Sequence, residues 1–212
     1  MSRRRKPSGR RKLPDKGHKI RGRAIGTRAL RQRFLIVCEG EKTEPNYFRS
    51  FRASVVVDIF GTGLNTGDVV DYALTKKREA QRNDEQYDQV WAVFDLDEFP
   101  AGNFNAAIEK AKKKGVKAAY SNPSFELWFL LHFEYRNSAI DRWECVDILS
   151  KKLKKHYEKK SKNMRDELFS QEQDAIKRAE KLFASYQPHN PARDNPCTTV
   201  HQLVKELNRH SR

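Results

Sequence analysis

Apolar residues along this chain come in short blocks, and the spacing inside each block predicts the element. Residues 34–38 (FLIVC) are an uninterrupted β-rich run that stops at Glu39, Gly40 and Glu41. Such a run reads as a strand buried on both faces and ended by a sharp turn. Residues 43–53 fit a short helix, with Thr43 available as its cap and Pro45 tolerated in the first turn. Residues 54–60 (SVVVDIF) predict a second strand, and the glycine-containing stretch 61–67 a loop leading into a helix over 68–82. A third apolar strand, 89–94 (QVWAVF), ends at Asp95, Leu96 and Asp97. An amphipathic helix over 104–114 closes at Gly115, and 116–120 forms a weaker fourth strand. This alternation implies an α/β fold, with a mainly parallel four-stranded sheet flanked by helices.

Beyond residue 120 the pattern turns helical. Residues 123–133 (PSFELWFLLHF) are the most aromatic stretch and predict a buried helix. Polar amphipathic helices follow over 141–157, 170–186 and 198–208, joined by a Lys-rich segment and by a Pro-punctuated loop over 187–196. With no repeat period and no strong internal boundary, the helices of 134–212 are expected to cap the same domain.

Charge changes this picture at one end only. Residues 1–33 hold fourteen of the 43 Lys and Arg but a single one of the 28 acids, and so carry +13 of the formal +15. Their Pro and Gly content and few apolar residues cannot bury enough surface to fold alone, so 1–33 is expected to be a flexible, disordered basic arm and 34–212 the folded domain. Arg3, Arg4, Arg5, Lys6, Arg10, Arg11, Lys12, Arg21 and Arg23 of the arm are candidates for contacting a nucleic-acid backbone without sequence readout. A solubilising tail or a contact with an acidic protein is the plainer alternative. No run of eighteen apolar residues and no apolar stretch after the basic start argue against a membrane span and a signal peptide, so a cytoplasmic protein is expected. The three cysteines, Cys38, Cys145 and Cys197, lack metal-ligand spacing and are expected to be reduced.

Candidate chemistry gathers at strand ends. In a parallel sheet the residues just after the strands converge on the carboxyl edge, where ligands bind. Glu39 follows the first strand, and Asp95 and Asp97 follow the third. If strand geometry persists through Leu96, Asp95 and Asp97 project to the same side and can share a cation. Hard oxygen ligands without His or Cys fit Mg²⁺ or Mn²⁺, one ion or two, and not zinc. Glu126 lies amid apolar residues, where a carboxylate is costly unless ligated or paired, so it is either a fourth site acid or the partner of a buried Lys or Arg. His132 is a proton shuttle or, more simply, a core histidine. Glu41, Asn122 and Ser124 are candidates for supporting the acids, although Asn122 and Ser124 equally suit a helix cap. Lys42 could steady a phosphate, a role an exposed lysine does not need. Asn195, Thr198 and Thr199 most simply cap the last helix.

Two of these segments carry a resemblance. FLIVCEGEKTE (34–44) resembles the first motif of the Toprim superfamily, an apolar strand ending in Glu-Gly, and VFDLD (93–97) resembles its Asp-x-Asp motif. The resemblance implies a divalent-metal nucleic-acid site with Glu39 as the motif glutamate and Asp95 with Asp97 as the metal-binding pair. The basic start together with VCEGEKTEPNYF (37–48), VFDLDEF (93–99), SNPSFELWFLLHF (121–133) and NPCTTVHQLVKEL (195–207) also looks like the RloB-like family of small prokaryotic proteins associated with restriction loci and abortive phage resistance. That likeness implies a role in defence, acting on RNA, including tRNA, or on DNA.

The expected activity is therefore Mg²⁺-dependent phosphodiester hydrolysis, with Glu39, Asp95, Asp97 and Glu126 as the catalytic acids. The rival is a binding module that docks on nucleic acid or on another defence subunit without chemistry. Neither reading fixes the oligomeric state.

Overall fold

The computed structural model describes residues 32–51, 55–96 and 100–210. The arm candidates from Arg3 to Arg23, and Asp97, lie outside the described residues.

Five strands, eight α-helices and one turn of 3₁₀ helix (Phe169–Gln171) follow one another in these segments. The first is β1 (Arg33–Cys38), followed by α1 (Thr43–Arg49), β2 (Val56–Gly61), α2 (Thr66–Arg82), β3 (Gln89–Asp95), α3 (Ala101–Lys113) and β4 (Lys117–Asn122). The remainder is α4 (Glu126–Leu130), α5 (Arg142–Leu153), α6 (Met164–Leu168), α7 (Glu172–Ala184), β5 (Cys197–Thr198) and α8 (Val200–Arg209). The sheet order is β2-β1-β3-β4-β5, parallel throughout except for the antiparallel last pair. The four expected strands are present, but the sheet has five.

The apolar runs explain the layering. Along β1, Phe34, Ile36 and Cys38 enter one core while Leu35 and Val37 enter the other, and β3 divides in the same way into Trp91 and Val93 against Val90, Ala92 and Phe94. A strand with a helix layer on each side needs both of its faces apolar, which is why these runs do not alternate. The α2–α3 layer covers the second face, with Val69, Val70, Ala73, Phe104 and Ala107. The first face is covered by α1 and by the C-terminal helices, through Tyr47, Phe48, Phe125, Trp128, Phe129, Leu149, Leu182 and Leu203. Gly115, at φ +67°, ends the α3 turn as the sequence suggests.

Four further expectations are corrected. The aromatic stretch 123–133 yields only five residues of helix, with His132 in the turn that follows α4, and β4 runs two residues further than expected, to Asn122. Residues 197–198 do not open the last helix but pair with β4, Ser121 opposite Thr198 and Asn122 opposite Cys197. Thr199 precedes α8 without capping it, because its hydroxyl instead accepts from the Tyr120 amide (2.9 Å). Asn195 is likewise no cap: its carboxamide accepts from the Ile140 amide (3.1 Å) and donates to the Ile140 carbonyl (3.0 Å). The three cysteines are free and buried, and no described helix is long and apolar enough to cross a membrane.

Candidate active site at the carboxyl edge of the sheet

β1 and β3 are adjacent and parallel, with Cys38 opposite Val93, so their carboxyl ends meet. The ladder runs one residue past β1: the Glu39 amide donates to the Val93 carbonyl (2.9 Å), and the Glu39 carbonyl accepts from the Gly63 amide (2.8 Å). Glu39 is thereby held between both neighbouring strands. Its carboxylate turns toward β3, accepting from the Asp95 amide (3.0 Å) and from the Thr66 hydroxyl (3.4 Å). Asp95, on the face of β3 that carries Trp91 and Val93, accepts from the Phe125 amide through Oδ2 (2.8 Å). Its Oδ1 is shut off from solvent and has no hydrogen-bond partner.

The next residue after Phe125 brings in a third carboxylate. Glu126 is buried, accepts from the Tyr157 hydroxyl (3.2 Å), and lies 4.0 Å from the Lys159 ammonium. Glu126 thus lines the cleft, and the lysine it faces is half exposed, not the buried partner of the sequence alternative. A fourth carboxylate was not singled out from the sequence: Glu44, in the first turn of α1, is buried with only 6% of its surface exposed. An acid in a first helical turn is ordinary on dipole grounds, so nothing local in the sequence separates it from a solvated one. The close approach of Gly40 makes its place possible. A Cβ on Gly40 would collide with the Glu44 carboxylate, whose Cδ would lie at 2.8 Å.

These four acids share a cleft of about 410 Å³, which is lined also by Lys42, Arg142, Lys159 and Lys160 at its rim. Two hydrogen bonds from α1 hold the rim in place: the Thr43 hydroxyl donates to the Lys159 carbonyl (3.1 Å), and the Asn46 carboxamide to the Lys160 carbonyl (3.2 Å). Thr43, expected as a cap, is thus a strut. Glu41 and Lys42 line the cleft from the exposed turn between β1 and α1.

Electrostatics follow from crowding. Burial, helped by the charge of Glu126, raises Glu44 from 4.5 to about 7 against the opposing pull of backbone amides and of Lys159. Burial and then the charges of Glu44, Glu126 and Glu39 push the Asp95 carboxyl well above its usual range. Carboxylates crowded in this way are stabilised by a proton or by a cation. Their donors are hard oxygens, and the unpartnered Asp95 Oδ1 is an acceptor with nothing inside the protein to satisfy it, so the set suits Mg²⁺ or Mn²⁺ in chemistry. Among the described residues, no three His, Cys, Asp or Glu side chains are already drawn together as a ligand group.

The other candidates sit elsewhere. His132 is buried against Trp128, with ring centroids 4.8 Å apart and Nδ1 2.9 Å from the Trp128 carbonyl; burial lowers its pKa to about 4. It is not among the residues lining the cleft, and its geometry is that of a core histidine. Ser124 is buried and its hydroxyl has no partner. Asn122 is buried at the end of β4 and lines a separate pocket beside the cleft. Arg142 was missed because the sequence shows it only at the start of a polar helix, and Lys159 and Lys160 because they sit among many lysines of a joining segment.

Fold and site together define an α/β protein with an acidic, cation-rimmed cleft at the carboxyl edge of a mostly parallel sheet. No curated protein matches the chain, and no solved structure does. The chain belongs to the RloB-like protein family, which matches residues 34–207.

Proposed function

We propose that this chain is a metal-dependent phosphodiesterase acting on nucleic acid, built on a Toprim-like arrangement of strand-end acids. The carrying observation is the convergence of Glu39, Glu44, Asp95 and Glu126 on one cleft whose rim is Lys42, Arg142, Lys159 and Lys160. An acidic floor alone would repel a phosphodiester, whereas an acidic floor that holds a cation beneath a basic rim attracts one.

Glu39 and Asp95 would hold Mg²⁺ or Mn²⁺, with Asp97, two positions on in the sequence, as a further ligand. A bound ion of this kind supplies Lewis acidity toward a phosphoryl oxygen and a lowered pKa for water. The chain's own residues do the rest. The rim cations orient the phosphate. Glu44, with a pKa near 7, is matched to accept the proton that an attacking water loses, since a base works best near the operating pH. Glu126 is kept in place by Tyr157 and Lys159. The family's association with restriction loci makes phage defence the setting we propose, with RNA or DNA as substrate.

One observation favours a second reading, a non-catalytic binding module. Both Glu39 oxygens, one Asp95 oxygen and one Glu126 oxygen already accept hydrogen bonds inside the protein, so the cleft is partly satisfied without an ion.

One experiment separates the two readings. Purified protein is incubated with labelled RNA and DNA in Mg²⁺, in Mn²⁺ or in EDTA, beside Asp95→Asn. Hydrolysis that needs the metal and falls ~10²-fold or more in the variant supports the enzyme. No cleavage with either metal leaves the binding module, and full activity in the variant removes Asp95 from the chemistry.

A further inference from the structure

Next to the acidic cleft is a second pocket of about 320 Å³. The two cavities flank the same strand ends: Asp95 lines the first and Leu96 the second, and Arg142 lines both. Trp143 stands at the second pocket with 68% of its surface exposed, whereas the other tryptophans, Trp91 and Trp128, are buried.

An exposed tryptophan on rigid backbone is unusual enough to ask what it meets. Asp141 caps α5 by accepting from the Trp143 and Glu144 amides (both 2.8 Å), and the Glu144 carboxylate accepts in turn from the Asp141 amide (3.0 Å), so the helix start that carries Trp143 is fixed. The Arg142 guanidinium carbon lies 5.5 Å from the centroid of the Trp143 ring. On the inner wall is Asn122, only 1% exposed; its amino group donates to the Pro191 carbonyl (3.0 Å) and its Oδ1 has no partner. The pocket thus offers an aromatic face, apolar walls from Leu96, Pro123 and Ile140, and a cation toward the acidic cleft.

That combination fits a nucleobase. Side-chain aromatics take up bases by stacking, which every base allows, and arginine serves the attached phosphate. The volume is at the low end for ligand pockets, ~300–1,000 Å³, which suits one base and not a helix. A base inside a duplex is stacked on both faces and cannot present one to Trp143, so the strand must be single or locally opened.

We infer that this pocket is a base-binding subsite for single-stranded nucleic acid, with Trp143 as the stacking surface and Arg142 directing the adjoining phosphate into the acidic cleft. The assignment rests on the reading that the cleft receives a phosphodiester.

The test uses the full chain in EDTA, at salt high enough to suppress non-specific backbone contacts. A labelled single-stranded hexanucleotide, as RNA and as DNA, and a blunt duplex of the same sequence are titrated while tryptophan emission and iodide quenching are followed. Trp143 is the tryptophan iodide can reach, and Trp143→Phe supplies the blank. The single strand is expected to quench Trp143 emission and to shield it from iodide, while the duplex does neither. Trp143→Ala is expected to bind the hexanucleotide roughly 5- to 100-fold more weakly, with Trp143→Phe staying close to wild type. Unchanged Trp143 emission, or Trp143→Ala binding as tightly as wild type, overturns the subsite. Asp95→Asn is carried in parallel to keep the two readings apart. Quenching in a protein that never cleaves retains the subsite and removes the phosphodiesterase, whereas metal-dependent cleavage without any Trp143 dependence does the reverse.

Discussion

Glu44 offers the sharpest physical prediction, because its substitution by Gln should strengthen the metal-free fold at one pH and leave it almost unchanged at another. The folded carboxyl titrates near 7 and an unperturbed one at 4.5. Between those values the unfolded chain has lost its proton and the folded chain keeps it, so the folded state binds more protons and stability falls as pH rises. At ~1.4 kcal/mol for each unit of pKa, the interval corresponds to about 3 kcal/mol, present in full below pH 4.5 and lost by pH 8. Asp95 contributes in the same direction. Glu44→Gln, which mimics the protonated acid, removes this loss. In urea denaturation with EDTA, the variant should match the wild type near pH 4.5 and exceed it by about 3 kcal/mol at pH 8. Added Mg²⁺ should then raise the midpoint of the wild type more than that of the variant, because a cation supplies what the proton otherwise does. A variant that is equally or less stable than wild type at pH 8 would refute the idea that Glu44 is a crowded, reluctantly ionised acid.

Two glycines and the arm give further tests. Gly40→Ala places a methyl group against the flexible end of Glu44, so the fold should hold while Glu44 is pushed aside and metal-dependent cleavage drops; full activity would argue that Glu44 has no part in the site. Gly61→Ala meets Pro45 Cγ at 2.7 Å and the backbone of Gly40 and Glu41 at 2.8 and 2.9 Å, atoms that cannot swing away, and should cost roughly 1–3 kcal/mol in thermal or urea unfolding. Deleting residues 1–31 should leave the circular dichroism and unfolding midpoint unchanged but flatten the salt dependence of nucleic-acid binding, by ~0.9 in log-log slope for each phosphate the arm would have neutralised. An unaltered slope would mean the arm is not the backbone-binding element.

What the sequence could determine was whatever depends on neighbours along the chain. The continuous apolar runs before Glu39 and Asp95 identify two strands buried on both faces, and parallel strand ends converge whatever surrounds them, so the meeting of Glu39 and Asp95 in one cleft was legible. Glu126 was legible in part, because a charge among six aromatic and aliphatic neighbours demands an explanation. The tertiary structure decided the remainder. Glu44 is unremarkable as a first-turn acid until Gly40 lets its carboxylate approach and the 157–160 segment folds over α1, so its burial comes from residues more than a hundred positions away. The fifth strand is two residues long, too short for any period, and exists because Ser121 and Thr198 meet across 77 positions. Arg142 and Trp143 look like an ordinary polar helix start until α5 is set beside the ends of β3 and β4, where one cation borders two cavities. Local pattern sets which segments become strands and helices; only long-range packing sets which charges lose their water, and that loss separates a working carboxylate from a solvated one.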